Sequence, residues 1–426
     1  MQAIKIPVWL AIIININIVV GVGFFLGAQN ISMQAGLLAP AAWLICGLML
    51  LPLMVAFARL SERYPTAGGL YVYSYKQLGS FFGFVSGWGY FIGTAAANAC
   101  VMHAFSQRVY ELGMVNQSLQ SVGLGLFGFD VLLIGIFICL NLVDIKILER
   151  LQIFFTILKV IPLILTLVGL AFLFDWDMLC HIPVCWGGLL GCLPAVLFGF
   201  IGLEACCAIT DKIAGDKKNA AFVILASLTL VMFIYSILQF ALLSIHGTSA
   251  CDPFMSILPK LTSNQTVISW GNTCVYGAIL SSLLAGFYGA FYFNNWNLYA
   301  IGQENSIVGS RHLIKLNKNH APWVCVLVQA ALALLFIFVT NKIDALYSMS
   351  DVGTLVAYLL SAVAFLALSR SITAFLAIAG CTVLIGICTS HLLDYGLPLL
   401  PFWIVFVLGI ALHYANAWWT KQHHSS

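Results

Sequence analysis

The apolar positions of this chain are grouped into long runs, and short polar stretches separate one run from the next. A bilayer core about 30 Å thick is crossed by roughly 20 apolar helical residues, so each run predicts one membrane-spanning helix. Nothing between the runs resembles a soluble domain or a low-complexity linker, which predicts one domain over residues 1–426. The twelve predicted spans are 7–31, 38–60, 81–107, 123–143, 149–174, 187–210, 219–246, 268–302, 322–340, 343–369, 371–393 and 397–419.

Composition supports an all-α polytopic membrane protein. Hydrophobic residues make up 62% of the chain and charged residues 8%, against about 25% charged residues in soluble domains. The chain has no basic cluster with interleaved aromatic residues, so no nucleic-acid partner is expected, and no metal or cofactor motif is present. Most of the thirteen cysteines lie inside apolar runs, where thiols pack as small apolar groups. Cys180 and Cys185 flank a predicted external loop, and a disulfide between them is left open.

The distribution of positive charge predicts the orientation, because cytoplasmic loops carry an excess of Lys and Arg. Twelve spans place both termini on one side. Of the eighteen Lys and Arg residues, only Arg108, Lys260 and Lys342 fall on the opposite side and Lys159 lies inside a span, which leaves fourteen on the side of the termini. Both termini are therefore expected in the cytoplasm.

Glycines interrupt the first and the sixth span at corresponding places, at Gly21-Val22-Gly23 and at Gly199-Phe200-Ile201-Gly202. Unwound backbone cannot be satisfied by hydrocarbon, so such breaks line a cavity or a ligand. Breaks at matching positions of two inverted halves are typical of transporter binding sites. The pattern predicts two five-span repeats, roughly 7–174 and 187–369, followed by two further helices in 371–419. Close helix packing is the alternative role of these glycines.

Three motifs resemble those of the amino acid–polyamine–organocation superfamily of transporters. The first-span motif reads GVGFF at residues 21–25, where the family usually has Gly-Ser-Gly and a hydrophobic pair. Residues 60–73, LSERYPTAGGLYVY, resemble the family's cytoplasmic re-entrant segment, and residues 198–205, FGFIGLEA, resemble its sixth-span motif. The resemblance covers essentially the whole chain and implies a LeuT-like 5+5 inverted repeat with helices 1 and 6 broken.

Within this superfamily the chain looks most like the arginine:agmatine antiporter type. The spacing of Trp88 and Asn98 in the third span, Trp296 in the eighth span and Ser350 in the tenth span all resemble that branch. Two positions depart from it, because Val22 stands in place of a serine and Phe198 in place of a tryptophan. Both departures lie in the ligand region, so they bear on the choice of substrate.

The resemblance implies a substrate site at the bilayer midplane. Amides near Val22 and Gly23 would bind an α-carboxylate, and carbonyls near Ile18, Phe198 and Ile201 would bind an ammonium. Aromatic rings would occlude the substrate, and polar groups would contact its side chain. The predicted substrate-binding residues are Ile18, Gly21, Val22, Gly23, Thr94, Asn98, Phe198, Phe200, Ile201, Gly202, Trp296 and Ser350.

Two charged residues inside spans are predicted to act in coupling or gating. Lys159 lies ten residues, or about 15 Å, into the fifth span, at a depth where a lysine is expensive. In some relatives the matching lysine occupies the space of the sodium ion of sodium-coupled members, which implies sodium independence. The glutamate that matches Glu204 is tied to gating and proton-sensitive release in the family. A structural anchor that hydrogen-bonds the unwound backbone is the alternative, and the two roles are compatible.

The sequence therefore predicts a sodium-independent secondary transporter of amino acids or their decarboxylated amines in a cell inner membrane, and not an enzyme. Exchange and proton-coupled transport both remain open, as does a neutral amino acid/proton symporter of the same fold. A membrane-embedded enzyme or a channel is less favoured, because no cluster of intramembrane catalytic groups and no repeated pore-lining ring is found. The expected partners are the substrate, the lipid bilayer, protons under the symport alternative and, by resemblance, a second copy of the chain.

Overall fold

The computed structural model describes residues 7–64, 69–112, 125–142, 154–205, 207, 213–214, 217–249, 252–394, 396 and 400–423. Parts of several predictions lie outside these residues: residues 65–68 of the re-entrant motif, the start of the fifth span at 149–153, most of the end of the sixth span at 206–210, the start of the twelfth span at 397–399, and both chain ends.

The described residues form helices and no β-strand. The helices are α1 (Val8–Val19), α2 (Val22–Ala35), α3 (Ala39–Arg63), α4 (Gly69–Leu78), α5 (Ser80–Tyr110), α6 (Leu126–Asn141), α7 (Val160–Leu173), α8 (Trp176–Cys180), α9 (Trp186–Phe198), α10 (Lys217–His246), α11 (Ile257–Leu261), α12 (Gln265–Gln303), α13 (Ser310–Leu313), α14 (Trp323–Val339), α15 (Ile343–Leu368), α16 (Ile372–Leu393) and α17 (Leu400–His423). The all-α polytopic prediction is confirmed, and every predicted span overlaps a described helix.

The number of spans stays a prediction. Among the described residues, eight helices are long and apolar enough to cross a membrane, or nine if the bent pair α1 and α2 counts as one span. The apolar helices α6 and α14 have 16 and 17 residues, shorter than the roughly 20 that a perpendicular crossing needs. Helix α5 has 31 residues and is long enough to cross a membrane, but it is not among the eight because its Gly, Ser and Asn residues lower its mean hydropathy. Its burial among other helices permits these residues.

A buried aromatic and amide cluster holds the first three helices to α10. Tyr235 of α10 stacks on Phe24 with ring centroids 5.1 Å apart and lies 4.5 Å from the ring of Trp43. The Trp43 indole donates to Oε1 of Gln239 at 3.1 Å, and Nε2 of Gln239 donates to the carbonyl of Ala28 at 2.9 Å. Polar groups in the apolar interior are thus paired with one another, as burial requires. This cluster fixes α2 and α3 against α10.

The two interrupted helices touch through their glycines. Helices α1 and α2 are bent by 54° at their junction, where Gly21 has a φ of 144° that suits glycine. A Cβ on Gly23 would overlap the Cα of Gly199, at the end of α9. The backbones of the two breaks can therefore approach each other because Gly23 lacks a side chain, while a Cβ on Gly199 would meet the Trp43 ring at 2.6 Å.

The two cysteines of the predicted external loop, Cys180 and Cys185, are free thiols. Cys180 is exposed at the end of α8, and Cys185 is half-buried just before α9. The disulfide that the sequence left open is not formed in this structure.

We expect Gly23→Ala to lower the free energy of unfolding by roughly 1–3 kcal/mol, because the added methyl group must push the two breaks apart. The measurement is the thermal midpoint of the detergent-solubilised protein, followed by fluorescence-detected size exclusion. Gly386→Ala in α16 is the matched control, because a Cβ there meets nothing within 4 Å. The control should be neutral or stabilised by up to about 1 kcal/mol. Equal midpoints for the two variants would contradict the close backbone contact.

Candidate substrate site

The two helix breaks form the centre of the candidate site. Helix α9 ends at Phe198, and residues 199–205 continue as turns and a short 3₁₀ segment with Gly202 at a φ of 109°. A Cβ on Gly202 would lie 3.2 Å from the side chain of Ile18, next to the break after α1. The structure therefore brings together the predicted residues of both breaks: Ile18, Gly21, Val22, Gly23, Phe198, Ile201 and Gly202.

Side chains from neighbouring segments bind carbonyls at both breaks. A helix end leaves its last four carbonyls without intrahelical donors. The Tyr235 hydroxyl donates to the carbonyl of Val19 at 2.8 Å, and Lys159 Nζ donates to the carbonyl of Asn17. At the other break, the side-chain amide of Asn15 donates to the carbonyl of Leu203 at 3.2 Å. The exposed polar backbone of the breaks is thus partly satisfied by protein.

Lys159 lies directly beside the first break. It precedes α7 and is 8% exposed, and its Cδ lies 3.6 Å from where a Cβ on Gly21 would stand. The side-chain amide of Asn17 donates to Thr156 Oγ1 at 3.0 Å, which adds a second contact between α1 and this segment. No carboxylate of the described residues pairs with Lys159, so its charge is balanced by backbone carbonyl dipoles.

Glu204 accepts three hydrogen bonds and ties the second break to two other helices. Its Oε1 accepts from the hydroxyl of Tyr90 in α5 at 2.9 Å. Its Oε2 accepts from the hydroxyl of Tyr358 in α15 at 2.6 Å and from the backbone amide of Gly202 at 2.9 Å. The carboxyl group therefore anchors the unwound backbone, the alternative role considered for it from sequence. The same bonds couple the break to α5 and α15.

Polar side chains on α5 and α15 form a third part of the site. The two helices approach closely where a Cβ on Gly93 would lie 2.8 Å from the carbonyl oxygen of Ser350. Asn98 is 1% exposed and neither of its amide atoms has a partner among the described residues, and Ser350 Oγ also has none. Thr94 is half-buried and its hydroxyl interacts with Tyr90. Leaving a buried polar group unpaired costs about 1–3 kcal/mol, so Asn98 and Ser350 are available for contacts with a ligand.

The rings of two predicted aromatic residues, Trp296 and Phe200, are not directed at the two breaks. Trp296 lies ten residues along α12 from Gly286, where a Cβ would overlap the Val22 side chain. This separation is about 15 Å along a helix. The Trp296 ring instead contacts Tyr292 and Tyr299 of its own helix, with ring centroids 6.4 and 5.2 Å away. The structure therefore does not place Trp296 over the breaks.

Phe200 belongs to the second break by its backbone, but its ring is directed into the aromatic cluster. It is 1% exposed, and its ring centroid lies 5.7 Å from that of Trp43 and 6.1 Å from that of Tyr235. Phe198 keeps a position that suits a gate, since its ring lies 6.0 Å from that of Tyr347 in α15. One of the two predicted sixth-span aromatics thus lies between the end of α9 and α15.

Several contacts of the site were not predicted from sequence. Tyr90 and Tyr358 are the donors to Glu204, and Ser282 and Gly286 are the positions at which α12 meets the first break, where a Cβ on Gly286 would overlap the Val22 side chain. Tyr358 lies eight residues after the predicted Ser350 in the tenth span, so this spacing of about two helical turns could have suggested a role. The positions on α12 carry no comparable signal.

The geometry defines a class of protein before any comparison is made. Two interrupted helices face each other within a helical bundle, with half-helix amides and unwound carbonyls at one place, which is the arrangement of secondary transporters. Among the described residues, no group of three His, Cys, Asp or Glu side chains is arranged to hold a metal ion.

Comparison with known proteins agrees with this class. The family model described as amino acid permease matches residues 6–371. The chain belongs to the amino acid permease family, and it is a membrane transporter and not an enzyme.

Curated relatives and solved structures extend the comparison. The chain is 26% identical over 373 residues to the aromatic amino acid transport protein AroP of Salmonella typhimurium (strain SL1344), covering 80% of this chain and 75% of the relative. It is 25% identical over 383 residues to the serine/threonine exchanger SteT of Bacillus subtilis (strain 168), covering 84% and 81%. A crystal structure of a mutant manganese transporter of Eremococcus coleocola superposes with a TM-score of 0.60 at 15% identity, covering 96% of this chain and 93% of that chain. This last likeness concerns the fold alone.

We expect Tyr358→Phe to lower the free energy of unfolding by about 1.5–3 kcal/mol, because it removes a hydrogen bond to a buried carboxyl group. A double-mutant cycle with Glu204→Leu, which removes both acceptor oxygens, tests the contact directly by thermal unfolding. The two substitutions should be less than additive, since either one removes the same bond. Tyr414→Phe is the control, because the Tyr414 side chain is 58% exposed. Strict additivity would show that Tyr358 and Glu204 do not interact in the folded protein.

Proposed function

We propose that the chain is a sodium-independent secondary transporter that moves amino acids by alternating access around the two helix breaks. The observation that carries the proposal is the hydrogen bond from Lys159 Nζ to the carbonyl of Asn17. Carbonyls released at a broken helix coordinate the sodium ion in coupled transporters of this architecture. An ammonium bonded to such a carbonyl supplies a fixed positive charge in the same place, so no sodium ion is needed there.

The α-amino acid head would be bound by backbone alone. Helix α2 begins at Val22, and its first amides have no acceptors within the helix, so its positive end suits a carboxylate. The carbonyls of Ile18, Phe198 and Ile201 would accept from the substrate ammonium. The close approach of the two breaks at Gly23 and Gly199 supports the two sets acting on one molecule.

We infer that substrates with uncharged side chains are preferred over arginine or agmatine. Glu204, the acid at the second break, already accepts three hydrogen bonds. The side chains that remain available, Asn98 and Ser350 together with Thr94, are neutral. Among the relatives, one is named an aromatic amino acid transport protein, one a serine/threonine exchanger, and one a glutamate/serine transporter (AimA of Bacillus subtilis); none of these names gives a cationic substrate.

The transport mode is proposed to be exchange, as the name of the SteT relative states for that protein. We further propose that the chain lies in a cell inner membrane with both termini in the cytoplasm. The excess of Lys and Arg on one side of the predicted spans supports this orientation. A homodimer remains a prediction from the family resemblance.

The function is tested by counterflow in proteoliposomes preloaded with an unlabelled amino acid. We expect labelled serine, threonine or an aromatic amino acid to accumulate only when the vesicles are preloaded, with or without sodium. Labelled arginine should exchange more slowly. A strict sodium requirement would overturn the assignment of Lys159, and a lack of exchange with any amino acid or amine would overturn the transporter mechanism proposed here.

We expect Lys159→Met to reduce counterflow at least about tenfold, because the loss of a charged hydrogen bond at the break is worth about 1.5–3 kcal/mol. The measurement is the initial rate of counterflow per folded protein. Lys318→Met is the matched control, since Lys318 is exposed and distant from the breaks in sequence. Unchanged exchange in Lys159→Met would show that the ammonium is not required at the break.

A further inference from the structure

Asp351 is a buried acid that the proposed substrate contacts do not use. It lies in the middle of α15 and its side chain is 0% exposed. Its neighbour Ser350 faces α5, where the carbonyl of Ser350 meets Gly93. Asp351 projects in another direction, toward α3 and α16, because it interacts with Cys46 and Cys388 of those helices.

Thiols surround Asp351, and no Lys, Arg or His side chain of the described residues forms an ion pair with it. Cys388 Sγ donates to Oδ2 at 3.8 Å, and Oδ1 has no partner among the described residues. His391, one turn along α16 from Cys388, is hydrogen-bonded to Ser348 Oγ at 2.9 Å instead. The titratable groups that face the Asp351 region are Cys46 of α3, Cys100 of α5, Cys192 of α9, Cys388 and His391 of α16, and Asp344, Tyr347 and Tyr358 of α15 itself.

These surroundings favour the neutral acid. A carboxylate that is buried without a cationic partner loses its hydration and gains no compensating charge. A thiol is a weak hydrogen-bond donor, so it replaces neither the lost water nor the missing positive charge. The thiols do not form a metal site with Asp351, since no group of three ligating side chains among the described residues is arranged for one. A neutral, protonated Asp351 would fit this site without a charge partner.

Asp351 also lies on the face of α15 that meets the broken sixth span. Tyr347, one turn before it, contacts the Phe198 ring at 6.0 Å. Tyr358, two turns after it, donates to Glu204 at 2.6 Å. Residues 347, 351 and 358 are four and seven apart, so they share one side of the helix. This side of α15 therefore packs against the end of α9 and the second break.

We propose that Asp351 is a proton-binding site that couples proton uptake to the closing of α15 against the broken sixth-span helix. When the interface opens, the carboxylate is hydrated and takes a proton from water; when it closes, only the protonated acid fits among the thiols. Protonation thus favours the closed interface by linkage. External acid therefore promotes closure after substrate has bound from outside. The inference rests on the proposed function, because it assumes that the breaks carry the substrate.

The experiment is counterflow of a substrate identified for the parent protein, measured at an external pH of about 8 and of about 6. Both values lie above the usual pKa of exposed carboxyl groups, which therefore stay ionised throughout. The readout is the ratio of the two uptake rates, which does not depend on how active each variant is. We expect uptake by the parent protein to be faster at pH 6 than at pH 8, by up to about tenfold for each pH unit over which Asp351 titrates. Asp351→Asn should bring the ratio close to one. Asp394→Asn, an exposed acid at the end of α16, should keep the parent ratio.

Asp351→Glu covers the case in which Asp351→Asn does not fold, because it keeps the ionisable group and changes its position. In that variant the midpoint of the pH profile should move, while the ratio stays well above one. A parent ratio of one, a parent-like ratio in folded Asp351→Asn, or an unmoved midpoint in folded Asp351→Glu would each overturn the inference. A parent protein that exchanges no amino acid at either pH would instead overturn the proposed function.

Discussion

The structure depends on one constraint, which is that backbone polar groups released inside a bilayer must find partners within the protein. Breaking a membrane helix removes several intrahelical hydrogen bonds at once, and hydrocarbon supplies no replacement. Here Tyr235, Lys159 and Asn15 bind carbonyls at the two breaks, and Glu204 accepts from an amide of the second. These four polar side chains are explained by this requirement, and buried polar groups without a partner among the described residues, such as Asn98 and Ser350, are available for a substrate.

The same residues connect the breaks to the rest of the bundle. Glu204 joins the second break to α5 and α15 through two tyrosine hydroxyls, and Lys159 joins the first break to the segment before α7. A substrate that replaced or reoriented any of these bonds would change the contacts of several helices together. Binding at a small backbone site can therefore be communicated to long helices without a large interface.

The fold could be predicted from sequence to a large extent, because membrane helices and glycine breaks have local signatures. The apolar runs located every described helix of span length, and the glycines located both breaks. The breaks at Gly23 and Gly202 and the charged side chains at them, Lys159 and Glu204, could be located from sequence, because glycines and charges are rare signals in an apolar span. The direction of a side chain around a long helix depends on packing, so the sequence could not show that the Trp296 ring contacts Tyr292 and Tyr299 of its own helix. For the same reason it could not show that the Phe200 ring fills the cluster around Trp43.

The contact between Gly23 and Gly199 also has an evolutionary consequence. The two positions lie in different halves of the chain, and backbone meets backbone there without an intervening side chain. A larger residue at one position cannot be absorbed by shrinking the other, because glycine is already the smallest residue. Gly23 is therefore constrained by the backbone at Gly199, and Gly199 by the ring of Trp43, so the two halves of this chain are not free to diverge independently at the point where they meet.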